Sequence, residues 1–195
     1  MKWIVVQTKP NSEQKAYVNL QSGIQEAFNS AYNALLELTD MQLESFYNSS
    51  METFGLEINK ARAAKVLVGA DGAEKWSSRA ITQSDGGVKK ELSNIANVTD
   101  NSKLDQLAID TNSGLNHLLN AYNSLELDSS EFNKHSATIT AQKSAINASI
   151  TSLTKLQNAV VSQKNTNKTN LLAKEIALNN ASSNLNEGNS NLTLS

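Results

Sequence analysis

The chain has no cysteine, a single proline (Pro10), eight glycines and only 5% aromatic residues. Each shortage excludes something. Without cysteine there are no disulfides and no thiolate metal sites, a usage that fits a reducing compartment or an exported protein that never relied on cross-links. With so few aromatics, the bulky groups that fill a thick globular core are scarce, whereas Ala, Leu and Ile are plentiful; that is the profile of thin helical layers. No basic run exceeds two residues and the net charge is −2 with both signs interleaved, so the footprint of nucleic-acid binding by a basic face is missing. No stretch approaches the ~18 apolar residues of a membrane span, and "WIVV" near the N-terminus is too short for the core of a secretory signal. The expectation is a chain that neither spans a membrane nor carries a cleavable export signal.

At 195 residues the length suits one ordinary domain, or a small domain with an elongated segment. Trp3-Ile4-Val5-Val6 is aromatic and β-branched, and Pro10 closes it, so residues 3–8 read as a short strand. Asn11 stands three residues before Gln14, an Asn version of the capping-box spacing, which predicts a helix over 11–21 with Gly23 as a break. From Ile24 the apolar residues recur at threes and fours (Phe28, Ala31, Leu35, Leu38) and continue less regularly to about 66. "GADG" (69–72) and "SDGG" (84–87) read as turns, with short helices around Trp76 and around Val88, Leu92 and Ile95. A helix over 102–125 follows, N-capped by Asp100 or Asn101, with Gly114 as a blemish costing about 1 kcal/mol against Ala.

The clearest signal comes last. Ile139, Ile146, Leu153 and Val160 are spaced by seven, and so are Leu171, Leu178 and Leu185. Sustained sevens separated by small or polar residues predict a narrow helix-pairing seam. The step from Val160 to Leu171 is a stutter that a continuous helix absorbs. Residues 162–170, "SQKNTNKTN", have no apolar side chain but also no Gly or Pro, which favours one helix from about 129 to 187 over a hairpin tip. Such a rod must pair with 24–66 and 102–125 to offset chain entropy. The fold class expected is mainly α: an elongated antiparallel helical hairpin or bundle with a short N-terminal strand. Its parts are a lead-in over 1–22, the hairpin or bundle over 23–187 and a frayed tail over 188–195.

No catalytic, cofactor or metal constellation stands out, so no enzyme activity is expected. His117 and His135 lie 18 residues apart and read as solvated helix histidines. Glu37, Asp40 and Glu44 share a face, a weak divalent-ion patch at most. "GADG" and "SDGG" lack the phosphate-cradling pattern. Trp76 and Tyr122 are contact anchors or, more often in such positions, core.

Two resemblances add expectations. Lys2 to Leu20 resembles the start of the N-terminal domain of NusG-type transcription elongation factors: Lys2-Trp3-Ile4-Val5-Val6, a polar turn, then Lys15-Ala16 to Asn19-Leu20. The further strands and β-barrel of that family have no counterpart after Leu20. Residues 24–187, above all "SATITAQKSAINASITSLTKLQNAVVSQKNTNKTNLLAKEIALNNASSNL", resemble the helical-hairpin region of HlyD-like membrane-fusion proteins, the periplasmic adaptors of efflux and secretion systems. That resemblance implies a non-enzymatic structural adaptor that self-associates or docks a channel or transporter component in the cell envelope. The NusG-like resemblance implies instead a cytoplasmic elongation or antitermination factor with a helical extension. A helical sensor or toxin-like bundle is a third possibility.

Overall fold

A computed structural model of the chain describes residues 12–45, 54–71, 81, 83–95, 101–125 and 129–193. These residues are mainly helical. They form α1 (Ser12–Ser45), α2 (Phe54–Val68), the short α3 (Gly87–Ser93), α4 (Asn101–Asn123) and α5 (Ser129–Thr193). The strand expected over 3–8 lies outside the described residues, as do Trp76 and Gly72.

Cross-helix contacts fix the directions. Glu13 meets Asn167, Gly23 faces Leu156, and Glu44 meets Lys134. Numbers rising along α1 therefore meet numbers falling along α5, and the two helices run antiparallel. Tyr17 bonds Asp105 and Tyr122 bonds the carbonyl of Ala34, so α1 and α4 run parallel. Lys60 of α2 donates to Gln42 near the end of α1, and Leu67 then sits on Gly114 of α4. The order is up, down, up, down, the topology of a helix bundle, with α3 packed beside α2 and α4.

The stretch 24–66, expected as one helical run, is two helices. α1 ends at Ser45 and α2 begins at Phe54, and the Gln42–Lys60 contact shows that the chain has doubled back between them. Its irregular apolar spacing after Met41 reflects that reversal. Gly23 does not break α1 either, which runs through it. A Cβ at Gly23 would lie 2.1 Å from the Leu156 Cδ1 methyl, so the missing side chain lets α5 approach. The expected boundary at 22/23 thus falls inside a single helix.

Each helix buries one stripe. Tyr17, Leu20, Ile24, Phe28, Ala31, Leu35 and Leu38 are buried along α1, and Leu104, Leu107, Ala108, Leu115, Leu118 and Tyr122 along α4. Many core residues are alanines (Ala27, Ala31, Ala34, Ala63, Ala64, Ala108, Ala121), which accounts for a tight core with few aromatics. Buried hydroxyls are satisfied at home: Thr39 and Thr111 donate to the carbonyls of Leu35 and Leu107 at 2.8 and 2.7 Å. Tyr122 donates to the Ala34 carbonyl at 2.8 Å, and its burial pushes the phenol far above its ordinary range. Tyr122 is core.

The glycine turns dock on each other. Gly69 adopts φ +70° at the end of α2, where Gly69 and Ala70 donate to the carbonyls of Lys65 and Ala64. Gly86 donates to the Val68 carbonyl at 2.9 Å, and a Cβ on Gly87 (φ +54°) would lie 2.2 Å from the Val66 carbonyl oxygen. Both turns are backbone contacts for α2 and α3.

Candidate functional site

The seam of α5 holds the residues singled out by the seven-residue spacing, and the tertiary fold treats its two halves differently. Ile139, Ile146, Leu153 and Val160 are buried, between 0 and 6% exposed, against α1 and α4. Leu171, Leu178 and Leu185 are 67, 68 and 66% exposed. The helix itself is continuous through 162–170 and extends to Thr193, beyond the expected end at 187. Its 65 residues make a rod about 97 Å long at 1.5 Å per residue.

The two halves share a face. Eleven residues from Val160 to Leu171 are close to three full turns, and each later step of seven drifts by only about 20°. The exposed leucines therefore continue the line of the buried seam. What changes is the neighbour: α1 begins at Ser12, level with Asn167, and the residues after it form an arm of about 26 residues, about 39 Å long. Leu172 and Ile176 add exposed apolar surface beside the line. Half of the residues in 168–193 are Asn, Ser, Thr or Gly. A helix of that composition gains little from propensity and owes its stability to packing.

A polar clasp joins three helices just below the arm. The Tyr17 hydroxyl donates to Asp105 Oδ2 at 2.9 Å, Lys164 Nζ donates to the same oxygen at 2.8 Å, and the ammonium lies 5.2 Å from the centre of the Tyr17 ring. Asn167 donates to Glu13 Oε2 at 2.6 Å one turn further on. Burial is the main cause that raises the Tyr17 pKa. The bond to Asp105 is the main cause that lifts Lys164 above the ordinary lysine range. The clasp takes the polar stretch 162–170 and uses two of its residues to mark where the bundle ends. Periodicity could not find it, because its partners lie 59 and 88 residues apart.

At the other end of the contact between α1 and α5, Glu44 accepts from Lys134 at 2.5 Å and lies 3.8 Å from His135 Nε2. The Lys134 bond is the first cause lowering the Glu44 pKa. His135, expected in solvent, is 7% exposed, because it stands four residues before Ile139 on the packed face of α5. His117 is half-buried, and burial first, then Arg62, lower its pKa. Glu44 is thus committed to a lysine and a histidine. Among the described residues no three His, Cys, Asp or Glu side chains converge on a point that could hold a metal.

Two further features are chemically legible. Lys60 is fully buried and donates to Gln42 Oε1, a lysine that sequence patterning places on an apolar stripe without warning. A cavity of about 180 Å³ between α3 and α4 is lined by Ile95, Leu104, Leu107, Glu91, Lys103 and Asp110. Its floor is apolar and its rim carries both charges. No helix among the described residues is long and apolar enough to cross a membrane. No family model, curated protein or solved structure matches this chain.

Proposed function

We propose that this chain is a non-enzymatic structural adaptor, and that its working surface is the arm of α5. The observation that carries this reading is the seam itself: one uninterrupted helix whose apolar line is buried to Val160 and stands bare at Leu171, Leu178 and Leu185. An apolar stripe on a helix that gains little from its own composition fits a partner helix, received in the manner of a coiled coil. The antiparallel pairing of α1 and α5, with the arm projecting beyond the start of α1, supports a hairpin-type adaptor. In that class of assembly the end of the arm meets a channel or transport component in the cell envelope.

The test is a photo-crosslinking amino acid at Leu178 or Leu185 in the native cell, with exposed Asn133 near the start of α5 as the control site. The adaptor reading expects a defined helical envelope component, captured from the arm and absent from the control. Capture of nothing from the arm would refute it.

A further inference from the structure

We propose that, where no other helix holds it, the bare line of α5 is covered by the arm of a second copy of this chain laid antiparallel, giving a reversible two-fold dimer joined arm to arm. This goes beyond the adaptor reading, which concerns what the arm meets in the envelope, and it holds for the purified chain by itself.

A second line runs beside the leucines. Lys174, Ala181 and Gly188 each follow a leucine by three residues, which sets them about 60° round the helix from Leu171, Leu178 and Leu185. The leucine line is large and apolar, and its neighbour is mostly small. When two such helices lie antiparallel about a two-fold axis, the leucine line of each faces the small line of the other. The register that seats Leu178 on the partner's Ala181 also seats Leu171 on the partner's Gly188 and Leu185 on the partner's Lys174, and the axis repeats all three contacts. Every layer then sets a leucine against a small residue, or against the aliphatic stem of a lysine whose ammonium reaches solvent.

Parallel pairing in register fails on the same residues. It places Lys174 against the partner's Lys174, where like charges repel, and sets Ala181 and Gly188 against themselves, which leaves voids between the leucine layers. The charged side chains of the arm, Lys168, Lys174, Glu175 and Glu187, cancel, so two arms approach without net repulsion.

Length selects the same register. An arm antiparallel to α5 runs in the direction of α1, which covers the buried part of the seam and starts level with Asn167. With Leu178 on the partner's Ala181, the partner's Thr193, at the end of α5, falls level with Thr166. The second arm thus takes over the seam where α1 leaves it, and the overlap spans the whole described arm.

Light scattering and sedimentation equilibrium on the full-length chain give the first reading. The mass should rise from monomer toward dimer with concentration, and Leu178→Lys, at a position exposed in the single chain, should weaken association at least about tenfold while the circular dichroism is kept. A chain that stays monomeric throughout, or a dimer that Leu178→Lys leaves intact, would overturn the proposal. The absence of native cysteine permits a reading of the register as well. Chains carrying Leu171→Cys or Gly188→Cys are oxidised mildly, each alone and then mixed. In the antiparallel dimer these two positions meet, whereas each lies about 25 Å along the axis from its own counterpart, so the mixture should link at least about tenfold faster than either chain alone. Either chain linking with itself as fast as the mixture would refute the antiparallel pairing. A dimer beside a failed envelope crosslink would keep this pairing and dismiss the adaptor; an envelope capture from a chain that is monomeric when purified would do the opposite.

Discussion

Replacing Gly114 by alanine sets two effects of known sign against each other. In the middle of a helix the change gains up to about 1 kcal/mol from propensity. At this position, however, the new Cβ would lie 2.6 Å from both Cγ and Cδ2 of Leu67. Leu67 is fully buried, and its branch atom is involved as well as a methyl, so the clash is relieved only by moving α2 away from α4. Overpacking of this kind costs about 1–3 kcal/mol, and the net expectation is a loss of about 1–2 kcal/mol. Two other glycines are internal controls. At Gly23 the obstructing atom is a terminal methyl of half-buried Leu156, which can rotate aside, so Gly23→Ala is close to neutral. At Gly188 nothing lies within 4 Å, and Gly188→Ala keeps the gain as extra helicity in the arm. Thermal and urea unfolding followed by far-ultraviolet circular dichroism read the series, with a shift of about 2–4 °C per kcal/mol for a chain of this size. Gly114→Ala as stable as the parent would mean that α2 and α4 are not packed backbone to side chain as described.

The division of the seam predicts unequal costs for equal truncations: Leu153→Ala should lose about 2–5 kcal/mol, and Leu185→Ala should stay within about 0.5 kcal/mol, both by denaturant titration. Comparable losses would place Leu185 in a core. At the clasp, Tyr17→Phe and Lys164→Met should be non-additive in a double-mutant cycle, with a coupling of about 0.5–1 kcal/mol that diminishes in high salt; strict additivity would remove the three-helix contact. For His117 the folded pKa lies below the unfolded one, so the unfolded chain binds the extra proton. Its contribution is present above about pH 6.5 and is lost as pH falls through the depressed folded value. His117→Gln should flatten that part of the stability-against-pH curve, and an unchanged slope would refute the assignment.

Helix existence was written locally. The threes and fours of α1 and α4, the sevens of α5 and the glycine turns at 69 and 86–87 all depend on neighbours within a few residues, and a linear pattern carries such information. That 162–170 continues as helix was also readable, because the stretch contains neither Gly nor Pro. Gly23 and Gly114 misled for the opposite reason. Each reads as a helix defect on its own strand of sequence, and each is a contact surface once Leu156 or Leu67 is set against it.

Partnership was decided in three dimensions. The sevens and the intervening step of eleven place Leu153 and Leu178 on one line, and no property of α5 itself distinguishes them; α1 and α4 lie alongside the first, which is buried, whereas the second stands exposed beyond Asn167, which is level with the first turn of α1. The burial of His135 and Lys60, and the meeting of Tyr17, Asp105 and Lys164, likewise depend on which helices lie alongside and in which direction. A sequence determines which face of a helix is apolar, because that is periodicity along one chain. It does not determine how far along that face the neighbouring helices extend, because that is set by how the bundle closes.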